Sequence, residues 1–169
     1  GRSRDAEGNV IAANPTDEEV LPEYAYTQVK ARFSGLEASG NVRLLQGAQT
    51  LDLGLRADVV KAENTTTGQP LPRIAPARLG TSLAWAQGPW NAKLDARHVM
   101  AQNDVPAGEL SVGAYNLVNA SVSYHQVLQS ANLLWFAKLD NLGDSLAYSA
   151  SSILTQTAPG KAPLPGRSL

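Results

Sequence analysis

The stretch TLDLGLRADV, residues 50–59, alternates apolar residues with polar or small ones. Leu51 and Leu53 lie in one phase, and Asp52 and Arg56 lie in the other. Because successive side chains of a β-strand point to opposite faces of a sheet, this alternation predicts a strand with one apolar and one charged face.

The same alternation recurs along most of the chain and predicts about six long strands. Strands that cross a bilayer at a tilt need about 9–11 residues, whereas strands of soluble proteins are most often about five or six residues long. The pattern therefore favours an all-β fold, an antiparallel up-and-down meander that forms a segment of a large transmembrane β-barrel. The expected strands are residues 24–45, 49–63, 77–87, 90–103, 115–125 and 131–141.

The connections alternate between tight turns and long loops. Residues 46–48, 88–89 and 126–130 form short connections, whereas 64–76, 104–114 and 142–166 are long and rich in Gly, Pro, Asn and Thr. Transmembrane barrels have short periplasmic turns and longer extracellular loops, so the short connections are expected at the inner rim.

Aromatic side chains lie near both ends of the expected strands. Rings with a polar edge prefer the boundary between hydrocarbon and water, which produces two aromatic girdles in a barrel. The expected girdle residues are Trp85, Trp90, Tyr124 and Trp135 near the short turns and Tyr115 beside a long loop.

The polar phase of the strands carries charges of both signs. Such a stripe is expected of a hydrated lumen, although cross-strand ion pairing on a wet surface would produce it too. In the first strand the alternation slips between Phe33 and Leu36, which predicts a β-bulge at Gly35. The candidates for the lumen-facing side are Arg32, Glu37, Arg43, Asp52, Arg56, Asp58, Lys93, Asp95, Arg97, Lys138 and Asp140.

Composition excludes several classes of protein. The 169 residues are 43% hydrophobic and 17% charged, with no cysteine and a net charge of −1. The composition is therefore not that of a disordered protein, and the absence of cysteine excludes a disulfide scaffold. The net charge does not indicate binding to nucleic acid. No apolar run approaches the roughly 18 residues of a membrane-spanning helix.

Several stretches resemble a known family when they are taken in order along residues 21–169. The most specific are an Asn-Leu-x-Asp signature at 141–144 and a Pro-Arg-Ile-x-Pro segment at 72–76. They resemble the C-terminal part of the barrel of TonB-dependent outer-membrane receptors, and within them a zinc-, haem- or siderophore-uptake-like branch. The residues that carry these motifs are Pro72, Arg73, Pro76, Asn141, Leu142, Asp144 and Tyr148.

The resemblance implies a barrel of about 22 strands that is filled by an N-terminal plug domain. On that basis we expect a fragment truncated at both ends: residues 1–23 as the remnant of an extracellular loop, residues 24–169 as a C-terminal barrel segment, and a last strand cut off after 169. The implied location is the bacterial outer membrane. The implied partners are outer-membrane lipid, a transported metal or metal chelate, and the TonB complex, reached only through the absent plug.

Two motifs raise the question of catalysis or metal binding. Gly143 to Leu146 spells the Gly-Asp-Ser-Leu motif of an esterase family, and Asp95 to His98 spells its Asp-x-x-His partner. Their order along the chain is reversed relative to those enzymes, and no βαβ pattern surrounds them, so we predict no catalytic residue and no enzyme. His98 and His125 fall on different faces at opposite strand ends, so we predict no metal site and no cofactor.

The sequence thus predicts part of an active-transport receptor that takes up a metal ion or metal chelate with TonB-coupled energy. Two alternatives remain open: a passive porin-type barrel, and a soluble β-sandwich that serves as a binding module or adhesin. An upstream plug domain would separate receptor from porin, and a second packed layer would identify the sandwich.

Overall fold

The computed structural model describes residues 4–11 and 28–169. The chain divides into two units, Gly1–Lys30 and Ala31–Leu169. The regular elements described all belong to the second unit. They are β1 (Ala31–Leu45), β2 (Gln49–Asn64), β3 (Arg78–Gln87), β4 (Trp90–Val99), β5 (Tyr115–Val127), β6 (Asn132–Leu139) and the short helix α1 (Ile153–Thr157).

The six strands form one sheet in the order β1-β2-β3-β4-β5-β6, and every neighbouring pair is antiparallel. This confirms the predicted all-β meander. No helix among the described residues is long and apolar enough to cross a membrane.

The strand bounds differ from the predicted ones at several ends. The predicted first strand included residues 24–27, which lie outside the described residues, as does most of the expected loop remnant 1–23. β4 ends at Val99; the Met100 amide still donates to the carbonyl of Ala77, and the chain then enters a loop. β6 ends at Leu139, and Asn141, with φ +49°, turns the chain.

One side of the sheet is apolar from the first strand to the last. The pairing runs without a shift except between Arg43 and Leu45, so a row of residues can be followed across all six strands. We call this side the apolar face. One row on it consists of Val42, Leu53, Leu83, Leu94, Ala120 and Leu139.

The opposite side of the sheet is the polar face. Because adjacent residues of a strand point to opposite sides, the next row along the strands belongs to this face. That row consists of Arg43, Asp52, Ala84, Lys93, Ser121 and Lys138.

No second layer covers the apolar face within the described residues. Leu83 and Leu94 are 37% and 44% exposed, and each strand packs only against its neighbours in the sheet. A β-sandwich would bury this face beneath a second sheet about 10 Å away. The single open sheet therefore has the form expected of a barrel wall.

The buried hydrophobic residues of the described part of the chain are small and lie toward one end of the sheet. Ala62 lies near the end of β2 and Val99 ends β4, while Val112, Ala147 and Ala150 belong to long loops. Loop segments thus form a small core at the end of the sheet from which they depart. We call this end the loop end, and the end with the short connections the turn end.

The described part of the first unit, residues 4–11, is a tight turn. Arg4 and Val10 form an isolated bridge, and the Asp5 carboxylate accepts hydrogen bonds from the backbone and side-chain nitrogens of Asn9 at 2.8 and 3.1 Å. These hydrogen bonds lower the pKa of the Asp5 carboxyl below its usual value.

The predicted β-bulge at Gly35 is wrong. Pairing of β1 with β2 runs without interruption from Ala31 to Arg43, and the only irregularity lies beside the short turn. Glycine is needed at this position for another reason, since a Cβ there would lie 2.6 Å from the carbonyl oxygen of Val59. The slip in the pattern reflects Phe33, an apolar residue on the polar face.

We expect Gly35→Ala to lower the stability of the intact protein by about 1–3 kcal/mol, because the methyl group meets backbone that must shift. Gly40→Ala is the matched control in the same strand, since a Cβ there meets nothing within 4 Å. Unfolding of the purified intact protein in detergent, followed by its heat-modifiable migration on a gel, measures the stability of both variants. Equal stability of the two variants would contradict the close approach.

Candidate functional site

The polar face carries a set of ion pairs that link neighbouring strands. The Arg43 guanidinium pairs with the Asp52 carboxylate, and Arg78 Nη2 lies 2.8 Å from Asp58 Oδ2. Each pair joins residues placed directly opposite each other by the strand register. Exposed pairs of this kind contribute about 0–1 kcal/mol each, so their main effect is on the electrostatic field of this face.

A single carboxylate, that of Asp95, is shared by two cations. Arg56 Nη2 lies 3.4 Å from Asp95 Oδ1, and Lys93 Nζ lies 3.0 Å from Asp95 Oδ2. Arg56 reaches Asp95 by crossing β3 above Gly80, where a Cβ would lie only 2.7 Å from Arg56 Cγ. Gly80 therefore positions this arginine by having no side chain.

Most of the predicted lumen-facing residues lie together on the polar face. In the register these are Glu37, Arg43, Asp52, Arg56, Asp58, Lys93, Asp95, Arg97 and Lys138. Asp140 follows β6 and accepts a 2.8 Å hydrogen bond from Lys138 Nζ.

Arg32 does not belong to this set. The unbroken register of β1 places it on the apolar face with Leu36, and it pairs with Glu63 at 3.3 Å. The prediction was wrong because it shifted the phase at Gly35.

Sequence reasoning also missed Arg78, which shares the polar face with Gly80 and Ser82. The signal that would have found it is that common phase, since all three occupy even-numbered positions of the strand.

Four of the five predicted girdle residues lie on the apolar face near the turn end. Trp90, Tyr124 and Trp135 occupy one row, and the rings of Trp90 and Tyr124 lie 4.6 Å apart with a 51° interplanar angle. Trp85 Nε1 donates to the side chain of Gln49 at 3.0 Å. Ring bodies thus cover apolar surface while the indole nitrogen finds a polar partner, as in an interfacial belt.

Tyr115 was predicted to join an aromatic girdle, but the strand register places it on the polar face. It pairs with Val99, which pairs with Arg78, so all three share the polar face. Its place at the start of β5 suggested the rim but gave no information about the face.

The Asn-Leu-x-Asp signature forms a hydrogen-bonded turn at the end of β6. The buried Asn141 side chain donates to the carbonyls of Ser145 and Pro165 at 3.0 and 3.2 Å and accepts from the Ser145 amide at 3.0 Å. Asp144 Oδ1 accepts from the Arg167 amide at 2.9 Å. The backbone of Leu142 is fixed by donation to the carbonyl of Val118 at 2.8 Å. The signature therefore holds the C-terminal segment against the sheet.

The other motif residues lie in loops at the loop end. Pro72, Arg73 and Pro76 belong to the connection between β2 and β3, where Arg73 has φ +58°. That connection is fixed by Gln102 Nε2, which donates to the Ile74 carbonyl at 2.9 Å. Tyr148 donates from its hydroxyl to the Gly160 carbonyl at 3.1 Å.

Two further loops are joined by a pair of amide hydrogen bonds. Gln156 in α1 accepts from the Leu110 amide at 2.7 Å and donates to the Leu110 carbonyl at 3.1 Å. We call this contact the Leu110–Gln156 clamp.

The esterase motif does not form a catalytic arrangement in the described residues. Asp95 and His98 lie on opposite faces of β4, and His98 Nδ1 is hydrogen-bonded to Asn116 Oδ1 at 2.7 Å. Ser145 lies in the turn held by Asn141.

The two histidines are also apart. His98 is on the apolar face toward the loop end, whereas His125 is on the polar face near the turn end. Among the residues that the structure describes, no group of three or more His, Cys, Asp or Glu side chains could hold a metal ion.

Comparison with known proteins gives two matches. The family model described as "TonB dependent receptor-like, beta-barrel" matches residues 6–142. A solved structure described as "Copper transporter OprC" is similar over 82% of this chain, with a TM-score of 0.68 and 23% sequence identity. The chain spans 23% of the length of that protein, and at this identity the match concerns the fold.

We expect neighbouring positions of β3 to meet different solvents, because Ser82 lies on the polar face and Leu83 on the apolar face. Spin labels attached through Ser82→Cys and Leu83→Cys, in the intact protein in liposomes, report the contrast. The label at position 83 should collide with oxygen dissolved in the bilayer, and the label at 82 should not. Equal oxygen accessibility at the two positions would contradict the assignment of the faces.

Proposed function

Because the chain belongs to the TonB-dependent receptor β-barrel family, we propose that it forms part of a bacterial outer-membrane receptor that takes up a metal ion or metal chelate. Energy for release and passage comes from the TonB complex of the inner membrane. In this proposal residues 24–169 are a C-terminal segment of the barrel wall, and TonB acts through a plug domain that lies outside this sequence.

The observation that carries the proposal is the separation of two faces across six strands. On the apolar face, the row that begins with Val42, Leu53 and Leu83 is suited to contact lipid acyl chains. On the polar face, the adjacent row with Arg43, Asp52 and Lys93 is suited to contact water inside the barrel. Closure with further strands would remove the exposed edges at β1 and β6, which an open sheet in a membrane would leave without hydrogen-bond partners.

A metal cargo is supported by two likenesses. The motifs at 72–76 and 141–144 resemble the zinc-, haem- or siderophore-uptake-like branch of the family, and the similar solved structure is that of a protein named as a copper transporter. Copper is therefore the first metal to test.

The loops supply the capture step of the proposed mechanism. The connections after β2 and β4, together with the segment after β6, project from the same end of the sheet and are fixed by Gln102, Asn141 and the Leu110–Gln156 clamp. A substrate held there would enter the lumen along the charged polar face when TonB pulls on the plug.

Uptake of radioactive copper by cells tests this function. Deleting the gene that encodes this chain should reduce copper accumulation at limiting external copper several-fold, and restoring the gene should reverse the loss. Deleting TonB, or adding a protonophore, should have the same effect as deleting the receptor.

Two results would overturn the proposal. Uptake that needs the receptor but not TonB would identify a passive pore. If cells accumulate copper, zinc, haem-iron and siderophore-iron equally with and without the receptor, the receptor does not transport these metals.

A further inference from the structure

A groove crosses the apolar face between two neighbouring rows of side chains. One wall is the row that runs from Ala38 on β1 to Asn116 on β5, and the other is the row from Gly40 to Val118. The side chains of the row between them point to the polar face, so the floor of the groove is backbone. The groove has a volume of about 730 Å³.

The groove has the dimensions of one extended acyl chain. Five strands spaced about 4.8 Å apart give it a length of about 19 Å, and two rows on the same face lie about 7 Å apart. One leaflet of the hydrocarbon core of a bilayer is about 15 Å deep, which is the reach of a single chain. Small residues such as Ala57 and Ala96 keep the groove open, and Leu55 and Leu79 give its walls apolar surface.

The groove lies in the half of the apolar face that is nearer the loop end. His98, in one wall, is eight residues from Trp90, which corresponds to about 27 Å along β4 and about 19 Å in height for a strand tilted by about 45°. The apolar band of a membrane barrel is about 25 Å tall. If the Trp90 row marks the border of this band at the turn end, the groove lies just inside the opposite border.

One end of the groove carries a polar pair in a wall that otherwise consists of alanine and leucine. His98 and Asn116 lie opposite each other on β4 and β5, and His98 Nδ1 is 2.7 Å from Asn116 Oδ1. An amide oxygen only accepts, so Nδ1 carries the hydrogen and the Nε2 atom of the neutral imidazole is an acceptor. The Asn116 amide nitrogen supplies donors. The pair therefore suits a ligand group that contains both a hydroxyl and a carbonyl.

We propose that this groove binds one hydroxyacyl chain of lipid A, the lipid of the outer leaflet of the bacterial outer membrane. The chain lies between the two walls, its hydroxyl donates to His98 Nε2, and its carbonyl accepts from Asn116 Nδ2. Polar side chains that face hydrocarbon are costly unless they find partners, and this ligand supplies them. The inference rests on the proposed function for the orientation of the sheet, which places the loop end outside the cell.

The acceptor on His98 distinguishes lipid A from an ordinary phospholipid. The ester groups of a phospholipid offer carbonyl oxygens, which accept from Asn116 but have no hydrogen to donate to His98 Nε2. A hydroxyacyl chain satisfies both members of the pair. We therefore expect the site to bind lipid A more tightly than a phospholipid with chains of the same length.

Native mass spectrometry of the purified intact protein in detergent tests the site, with lipid A and a saturated phosphatidylglycerol as the probes. The wild-type protein should bind lipid A in preference to phosphatidylglycerol. Ala96→Leu should weaken binding of lipid A about tenfold or more, because the larger side chain occupies the space of the acyl chain.

Ala92→Leu is the matched control, since it makes the same change on the same face of β4 but outside the groove. It should leave binding of lipid A unchanged. Heat-modifiable migration of each variant verifies that the barrel has folded.

His98→Phe tests the polar end of the groove separately from its shape. The variant keeps a ring of similar size but removes the acceptor, so binding of lipid A should weaken about threefold to tenfold while binding of phosphatidylglycerol stays the same. An equal loss for both lipids would contradict the role given to His98 Nε2.

The site is overturned if the wild-type protein binds the two lipids equally, or if Ala96→Leu binds lipid A as well as Ala92→Leu does. Failure of this inference is distinct from failure of the proposed function. Lipid binding in detergent requires neither TonB nor a transported metal, and the uptake test of the proposed function does not depend on the groove.

Discussion

The uninterrupted hydrogen-bond register of the sheet is the constraint on which the rest of the structure depends. A side chain changes face when the pairing slips by a single residue, so six strands keep one apolar and one charged side only if the register is maintained from pair to pair. The single shift, between Arg43 and Leu45, falls beside a short turn, where it displaces only the last pair of β1, Leu45 with Leu51. Both the aromatic belt and the ion-paired stripe follow from this continuity.

Periodicity in the sequence was sufficient to predict the middle of each strand and the meander, because there the two faces meet different environments and the residues differ accordingly. Toward the loop end this contrast fades, since both faces approach water. Arg32, Phe33 and Tyr115 all lie in that region, which is where the assignment of faces failed. Arg78 escaped notice because it begins its strand. Contacts such as Asn141 with Pro165 join residues distant along the chain, and no local pattern reports them.

Glycine has an unusual role on the polar face, where it makes room for neighbouring polar side chains. At Gly80 the stem of Arg56 occupies the space of a side chain, and at Gly54 a Cβ would lie 2.5 Å from Ser82 Oγ and 2.9 Å from Asn41 Oδ1. Long polar side chains can therefore lie across a strand and reach partners two strands away, as Arg56 reaches Asp95. The result is a set of cross-strand ion pairs on the polar face, in which Asp52, Asp58 and Asp95 are each paired with an arginine or a lysine.

The Leu110–Gln156 clamp has a mechanical consequence. Since one glutamine amide both gives and receives a hydrogen bond with the same backbone unit, the two loops are tied together at this point. Displacing either loop alone would break both hydrogen bonds, and lengthening one loop would preserve them only with a compensating change in the other.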